Sequence, residues 1–304
     1  MFRTTAPAKI NLDLRLLGTR EDGYHEIETV FQSVALADVL TLSPTNDPFA
    51  IACDTPGVPT DETNLAWRAA AAVAAAAERP LHGWRLDLQK HVPAQAGLGG
   101  GSADAVAAAR LLLAAWGLGW DDTRLADVLA PIGADVAYFV LGGTVRGRGR
   151  GEQLEVLPDV APCAVVLVRP PFGVSTRDAY GWYDLDSQGV LVDGTRQRPH
   201  AEAAANDLQP PVVARHPELG QAIARLTSLG ATQAMLSGSG SAVFGLFPDD
   251  AKARRAAERA AGPWPADWAV TCTSTVSRAA YGLATRVLVG PDVAFSLSES
   301  RPVV

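Results

Sequence analysis

Gly97-Leu98-Gly99-Gly100-Gly101-Ser102 is the most informative stretch of this 304-residue chain, and an alanine-rich segment over residues 103–109 follows it directly. Because glycine lacks a Cβ atom, such a loop can turn several backbone N–H groups toward one point and approach a ligand closely. A helix pattern opens at Ser102, and the first turn of a helix adds unpaired N–H donors and the positive end of the helix dipole. The stretch therefore predicts a loop that binds an anion, of which a polyphosphate is the obvious case.

The loop differs from two common phosphate-binding signatures. A dinucleotide-binding G-x-G-x-x-G would need glycine at Ser102, and a Walker-type loop would need lysine at Gly101. For a single loop, a glycine-rich turn that only begins a helix is about as good an interpretation as a ligand site. Other segments must decide between the two.

Composition and charge limit the class of protein. The length suits two domains of ordinary size or one large domain. An apolar content of 48%, a charged content of 19% and a net charge of −7 fit a globular protein and argue against nucleic acid or an anionic membrane as a partner. The widely spaced Cys53, Cys163 and Cys272 predict neither a disulfide framework nor a zinc site. With no apolar leader and no run of transmembrane length, we expect a cytoplasmic protein, as a monomer or a homodimer.

Lysine is rare in this chain. Of its 26 basic residues only Lys9, Lys90 and Lys252 are lysines, so each is a candidate for a place that needs a compact ammonium rather than a planar guanidinium. Lys252 falls in an Ala/Arg-rich helical pattern and is expected on the surface. Lys9 and Lys90 stand beside the two most motif-like segments of the N-terminal half.

Hydrophobic periodicity outlines the remaining elements. Apolar and polar residues alternate from Ala8, which predicts a strand on which Lys9, Asn11 and Asp13 share one face. Segment 131–139 is expected to lead into a strand, and segment 142–151 to form a hairpin with solvated arginines at positions 146, 148 and 150. Further strands are predicted over 29–42, 84–89, 164–168, 233–236, 242–247 and 268–273, and helices over 64–78, 102–116, 121–130, 201–207, 216–229 and 249–261.

Prolines 158 and 162 mark the best candidate for a domain boundary. We therefore expect an N-terminal domain over residues 1–158, a C-terminal domain over 159–289 and a polar, loosely held tail over 290–304.

Three motifs occur in the order typical of a known family. They are Pro7-Ala8-Lys9-Ile10-Asn11-Leu12, the loop segment 93–102, and Leu236-Ser237-Gly238-Ser239-Gly240-Ser241. Over residues 6–247 the chain resembles the GHMP small-molecule kinases. The resemblance implies an α+β fold of two domains, the first like domain 2 of ribosomal protein S5 and the second ferredoxin-like, with ATP and Mg²⁺ as cofactors.

The resemblance also implies a catalytic pair. Asp135 matches the base that accepts the proton of the acceptor hydroxyl, and Lys9 matches the cation that keeps this carboxylate ionised and offsets charge during phosphoryl transfer. From the residues alone, a helix-capping or turn aspartate is the favoured interpretation of Asp135, and a solvated lysine at a strand edge is an ordinary interpretation of Lys9.

The nucleotide is expected along the glycine-rich loop. The family usually has glycine where Gln95 stands, which bears on the local shape of the loop. Asp104 is interpreted as a first-turn aspartate that the helix dipole favours, and no acidic residue is assigned to Mg²⁺. The predicted nucleotide contacts are Lys90, Pro93, Ala94, Gln95, Ala96, Gly97, Leu98, Gly99, Gly100, Gly101, Ser102 and Ala103.

Four further segments, 22–25, 133–136, 147–152 and 206–208, are similar to family members whose acceptor is a small molecule bearing cytidine diphosphate, in the non-mevalonate isoprenoid pathway. A cytosine ring needs aromatic stacking and hydrogen bonds to its edge, which an adjacent tyrosine and histidine can supply. The substrate contacts expected on this basis are Asn11, Tyr24, His25, Thr176 and Tyr180.

Three alternatives stay open. The first is another kinase of the same fold, of the homoserine or mevalonate type. The second is a nucleotide-binding module without turnover, and the third is a protein in which the glycine loop is only structural.

Overall fold

The computed structural model describes residues 1–187, 204–262, 264, 265 and 267–290. Its strands are β1 (Phe2–Thr19), β2 (His25–Pro44), β3 (Ala50–Cys53), β4 (Trp84–Gln89), β5 (Thr144–Gly149), β6 (Gln153–Val156), β7 (Ala164–Arg169), β8 (Gln233–Leu236), β9 (Val243–Phe247), β10 (Ala269–Ser274) and β11 (Leu288–Val289). Its helices are α1 (Leu65–Ala77), α2 (Gly100–Ala115), α3 (Asp122–Leu129), α4 (Val136–Leu141), α5 (Thr176–Ser187), α6 (Gln209–Arg215), α7 (Pro217–Ser228), α8 (Asp250–Ala261) and α9 (Arg278–Ala284).

The long antiparallel pair of β1 and β2 organises the first sheet. Its strand order is β11-β1-β2-β4-β3, and β5 joins β2 and carries β6. β2 pairs over residues 27–32 with β5 and over residues 39–44 with β4, so one strand supports two branches. The alanine-rich helices α1 and α2 bury small side chains such as Ala69, Ala70, Ala105 and Ala109 in the core beside this sheet, which lets the helices approach closely.

The second sheet is antiparallel, with the order β10-β7-β9-β8. The helices α7 and α8 pack on it through residues such as Leu219, Leu226 and Ala257. A separate apolar cluster joins Ile10 and Val34 of the first sheet to Leu167 and Phe244 of the second, so the two sheets meet along β1 and β2. The expected α+β architecture is confirmed, and its two units share one buried seam.

The end of the described chain returns to the first sheet. β11 pairs with β1, Thr5 donates its hydroxyl hydrogen to the carbonyl of Ala284 at 2.7 Å, and Tyr281 donates to the carbonyl of Phe139 at 2.6 Å. The division into residues 1–158 and 159–289 stays a prediction, to which the structure adds that α9 and β11 pack on the N-terminal unit. The predicted tail lies outside the described residues from 291 onward.

Several predicted elements need correction. α2 begins at Gly100, with Gly99 at its N-cap position, rather than at Ser102. The segment expected to lead into a strand forms the short helix α4, and α5 was not predicted. The structure also contains β3, α9 and β11, which have no counterpart among the predicted elements. Within a few residues of their predicted positions lie β2, β4, β7, β8, β9, β10, α1, α3, α7 and α8, and the hairpin of β5 and β6 is confirmed.

The helix predicted over 201–207 is also wrong where the structure describes it. Residues 204–208 are not helical, α6 begins only at Gln209, and residues 201–203 lie outside the described part. The side chain of Asn206 explains the difference, because it donates to the carbonyls of Leu236 and Gly238 at 2.9 and 2.7 Å and accepts from the N–H of Leu208 at 3.0 Å. Such bonds hold the backbone in a turn and compete with helix formation.

In the ranges that the structure describes, no helix combines the length and the apolar character that crossing a membrane requires.

The two glycine-rich loops pack directly on each other. Ser237 donates its hydroxyl hydrogen to the carbonyl of Gly97 at 3.0 Å, and the N–H of Ala242 donates to the carbonyl of Ala96 at 3.2 Å. Gly97 has a φ of +73°, and a Cβ atom placed there would lie 1.9 Å from the carbonyl oxygen of Ser237. The second glycine-rich loop, residues 236–241, therefore packs against the backbone of the first.

Replacing Gly97 by alanine should therefore lower the free energy of unfolding by about 3 kcal/mol or more, because the methyl group collides with backbone that cannot rotate away. The matched control is Gly117→Ala, where φ is +68° but no atom lies within 4 Å of the added Cβ. It should cost only the backbone strain, about 1–2 kcal/mol. Urea unfolding of both variants measures the difference, and equal losses would contradict the close packing of the loops.

Candidate active site

A cavity of about 590 Å³ lies at the seam between the sheets, where the glycine loop, β1 and the segment leading into α5 meet. Residues from positions 9 to 239 line it, so only the tertiary fold assembles this site. The predicted site residues that line this cavity are Lys9, Asn11, Pro93, Ala94, Gln95, Ala96, Gly97, Gly99, Gly100, Gly101, Ser102, Asp135, Thr176 and Tyr180.

Lys9 is a buried cation at one wall of this cavity. Its side chain is 5% exposed, and its Nζ donates to Asn11 Oδ1 at 2.6 Å and lies 3.7 Å from Asp135 Oδ2. The Nζ also lies 5.5 Å from the centre of the Phe31 ring. Burial lowers the pKa of the Lys9 ammonium, and the charge of Asp135 partly offsets that effect. The solvated strand-edge lysine is therefore excluded.

Asp135 occupies the N-cap position of α4, yet its side chain makes no capping hydrogen bond. The carboxylate, 35% exposed, lines the cavity and faces Lys9 instead. A capping role was the main alternative for this residue, and the geometry does not support it. The carboxylate is available to a bound substrate.

The polar residues of β1 do not all lie on one face of the strand, as a strict alternation of apolar and polar residues would place them. Lys9 and Asn11 line the cavity as predicted, but the pairing register shifts between Asn11 and Asp13. A bulge of this kind turns the following residues to the other face. Asp13 accordingly accepts from the N–H of Ala205 at 2.8 Å outside the cavity, and the expectation that it shares the face of Lys9 is wrong.

Gln95 adopts the backbone conformation that a glycine would favour. Its φ is +52°, one of two such values among the described non-glycine residues. Its side chain packs against Gly173, where an added Cβ would lie 2.7 Å from Gln95 Cβ. Glutamine at this position therefore keeps the left-handed turn of the loop.

The far end of the cavity is aromatic. α5 carries Thr176, Tyr180 and Asp184 toward β2, and the rings of His25 and Tyr180 lie 5.0 Å apart between their centres. His25 is fixed by a 2.7 Å contact between its Nε2 and Asp184 Oδ1. His25 does not line the cavity itself, but it packs against Tyr180, which does. Burial raises the pKa of the Tyr180 hydroxyl well above its usual range.

Tyr24 and Arg150 form a pair at the mouth of the site. Tyr24 is 57% exposed and does not line the cavity, and the Arg150 guanidinium lies 4.9 Å from the centre of its ring. Arg150 itself lines the cavity. Its backbone N–H donates to Glu152 Oε2 at 2.6 Å, but its guanidinium has no acidic partner among the described residues, whereas the guanidinium of Arg146 pairs with Glu155 at 2.9 Å and that of Arg148 with Glu28 at 2.8 Å.

Arg150 is exposed, as expected for an arginine of a solvated hairpin, and of the three arginines it is the one that also lines the cavity. Sequence reasoning missed this residue because its neighbours two and four positions earlier have the same type. Its place at the turn between β5 and β6, flanked by Gly149 and Gly151, is the signal that distinguishes it.

Three predicted nucleotide contacts lie outside the main cavity. Ala103 is buried in the core, and Leu98 and Lys90 line a smaller cavity of about 240 Å³ that also contains Pro93 and Ala94. The Lys90 ammonium pairs with Asp38 and Asp104 and does not face the loop. The N–H of Lys9 donates to the carbonyl of Leu98 at 3.0 Å and ties β1 to the loop.

Asp104 is not a first-turn aspartate, so that interpretation is wrong. It is the fifth residue of α2, its side chain is buried, and it accepts from Lys90 Nζ at 2.6 Å. The sequence contained no local signal for a partner fourteen positions away.

The described residues include no group of three or more His, Cys, Asp or Glu side chains that is arranged to hold a metal ion. Asp135 supplies one carboxylate at the cavity. This donor set fits a Mg²⁺ ion that takes most of its ligands from nucleotide phosphates and water, as Mg²⁺ commonly does.

Known proteins resemble this chain over most of its length. A 4-diphosphocytidyl-2-C-methyl-D-erythritol kinase from Moorella thermoacetica is 41% identical over 275 residues, which are 86% of this chain and 96% of the relative. The protein of the same name from Heliobacterium modesticaldum is 36% identical over 91% of this chain and 96% of its own length.

Solved structures agree. A crystal structure of 4-(cytidine 5'-diphospho)-2C-methyl-D-erythritol kinase has a TM-score of 0.74 and 34% identity, covering 90% of this chain and 100% of that one. The homoserine kinase from Cytophaga hutchinsonii, with a TM-score of 0.69 and 19% identity over 91% of this chain and 94% of that one, shares the fold.

Two family models match the chain in the expected order. The GHMP kinases N terminal domain matches residues 64–143, and the GHMP kinases C terminal domain matches residues 195–266. Together with relatives above 30% identity along nearly the whole chain, these matches agree with the loop, the buried lysine and the two-sheet fold. The chain belongs to the GHMP kinase family.

Proposed function

We propose that this chain transfers the γ-phosphoryl group of ATP to the 2-hydroxyl of 4-diphosphocytidyl-2-C-methyl-D-erythritol. The observation that carries the proposal is one cavity in which the glycine loop, the Lys9–Asp135 pair and the aromatic wall of Tyr180 face each other. Relatives of 36–41% identity bear the name of that kinase, whereas the homoserine kinase shares only the fold.

At the centre of the reaction, Asp135 accepts the proton of the attacking hydroxyl. Its partner Lys9 positions the carboxylate and stabilises negative charge as the phosphoryl group moves. An aspartate with a reference pKa of about 3.9 is a weak base. That strength suffices because the transition state of phosphoryl transfer is loose and needs positioning more than proton abstraction.

At the nucleotide end, the phosphates lie against the backbone N–H groups at the start of α2. Gly100, Gly101 and Ser102 line the cavity there, and the 16-residue helix directs its positive end toward it. The adenine lies against residues 90–93, which border the smaller cavity. Mg²⁺ bound to the phosphates would neutralise part of their charge.

At the acceptor end, the cytosine ring lies near Tyr180, His25 and Tyr24. Asn11 and Thr176 face the same cavity and offer hydrogen bonds to the polyol. Arg150 completes the site, because its guanidinium has no acidic partner among the described residues and a diphosphate supplies one.

Cytoplasmic location, Mg²⁺ dependence and the choice between monomer and homodimer remain part of the proposal.

The first test concerns the base. Asp135→Asn should lower kcat by about two to four orders of magnitude, because the amide cannot accept the proton. The same variant should still gain thermal stability from ATP, which shows that binding is intact. A coupled kinase assay with the cytidine substrate measures the rate, and a kcat near that of the wild type would remove Asp135 from the mechanism.

The identity of the acceptor is tested in the same assay by comparing the cytidine substrate with homoserine and mevalonate as alternative phosphoryl acceptors. The proposal requires that the cytidine-bearing alcohol be preferred by wild-type enzyme. Preference for either of the other two would identify a different member of the family, and ATP binding without turnover of any alcohol would identify a non-catalytic module.

The second test concerns Arg150. Arg150→Met should raise the KM for the cytidine substrate about tenfold or more while the KM for ATP changes little, because one charge-assisted contact to the diphosphate is lost. Arg148→Met is the matched control: Arg148 lies in the same hairpin, its guanidinium pairs with Glu28 of β2, and it is not among the residues that line the cavity. Equal effects of the two substitutions would contradict the assignment of Arg150.

A further inference from the structure

Behind the glycine loop, the Lys90 ammonium is buried between two carboxylates. Its Nζ donates to Asp38 Oδ2 and, at 2.6 Å, to Asp104 Oδ2. The side chains of Lys90, Asp38 and Asp104 are 7%, 0% and 4% exposed. We call these three residues the buried triad. It joins β2, the segment that follows β4, and α2, which are the elements around the loop.

The two carboxylates of the buried triad are not equivalent. Asp38 Oδ1 accepts from the N–H groups of His91 and Val92 at 2.6 and 2.8 Å. Because Oδ2 accepts from Lys90, both oxygens of this carboxylate have hydrogen-bond donors. Asp104 Oδ1 is buried and has no hydrogen-bond partner in the part of the chain that the structure describes. A buried carboxylate oxygen without a donor is costly when the group carries its charge.

The buried triad lies directly behind the site of the phosphates. A Cβ atom placed on Gly100 would lie 2.9 Å from Val92 Cγ1 and 3.5 Å from Asp38 Oδ2. With both carboxylates ionised, two negative charges share one ammonium, and the triad carries a net charge of −1. A nucleotide in the loop adds further negative charge on the other side of a thin, poorly solvated layer, where repulsion is strong.

We propose that Asp104 is a positioning residue for the nucleotide, and that the buried triad takes up one proton at Asp104 when a nucleotide occupies the loop. The neutral triad then holds the segment at residues 90–92 and α2 together without repelling the phosphates. This inference rests on the proposed function, since it assumes a nucleotide along the loop.

The electrostatic surroundings agree with this proposal. Burial and then Asp38 raise the pKa of Asp104 to about 7, although Lys90 acts in the opposite direction. Burial by itself would lower the pKa of Lys90, but the two carboxylates overcome it and raise that pKa. Two further ionisable residues of the described chain lie beside the triad: His91, whose N–H donates to Asp38, and the exposed Asp54, which accepts from the N–H of Lys90 at 2.9 Å.

The first experiment compares the pH dependence of ADP binding in the wild type and in Asp104→Asn by calorimetry between pH 6 and 9. Asparagine keeps the shape of the protonated acid but does not titrate. The wild type should lose affinity relative to the variant by up to about tenfold for each pH unit above 7. Titration of ADP itself is common to both proteins and cancels in the ratio. Asp54→Asn is the matched control and should follow the wild type.

A second measurement detects the proton directly. Binding enthalpies in buffers of different ionisation enthalpy should show proton uptake by the wild type at pH 8, where the nucleotide phosphates are almost fully ionised. Asp104→Asn should lack this uptake. Proton release or no exchange by the wild type would overturn the proposal.

The third measurement is the stability of the nucleotide-free protein. Because the pKa of Asp104 is raised on folding, its contribution to stability is complete below pH 4 and is lost as the pH rises through about 7. The Tm of Asp104→Asn minus that of the wild type should therefore increase between pH 4 and 7 and then level off, whatever its starting value.

Parallel pH profiles of wild type and Asp104→Asn in both binding and stability would overturn the role of Asp104. Failure of the wild type to bind ADP at any pH would instead contradict the proposed kinase function, so the two failures are distinguishable.

Discussion

The ammonium of Lys9 is the constraint on which the rest of the site depends. Its backbone N–H is bonded to Leu98 of the glycine loop, and its side chain contacts Asn11 and Asp135. A lysine that is 5% exposed is stable only when its charge has partners, so burial of this residue requires the loop and the carboxylate to be in place. The pair therefore links the fold of the seam to the proposed chemistry.

Charge is distributed on two sides of the glycine loop. On the cavity side stand Lys9 and Arg150, which suit a site for two polyphosphates. Behind the loop, Lys90 is shared by Asp38 and Asp104 and does not reach the cavity. Two of the three lysines of the chain thus occupy buried positions beside carboxylates, where a compact ammonium fits between closely placed oxygens.

The sequence predicted the features that depend on neighbouring residues, and it failed where a residue distant in the chain determines the environment of a side chain. The strand with Lys9 and Asn11, the glycine loop and most helices follow from periodicity and glycine content. The departure of Asp13 depends on a bulge, and the burial of Asp104 depends on a strand end fourteen residues earlier. The role of Arg150 depends on which hairpin residue lies beside the cavity, which alternation in β5 does not reveal.

The amino-acid sequence by itself determined the family, the two-unit α+β fold and the position of the phosphate loop, because glycine content, alternation and motif order are properties of neighbouring residues. Only the tertiary structure decided that the Asp135 side chain, at the N-cap position of α4, faces Lys9 instead of capping the helix, and that Ser237 bonds to Gly97. These contacts join residues 126 and 140 positions apart, and no local pattern reports them because they depend on how the two sheets pack and bury the polar groups between them.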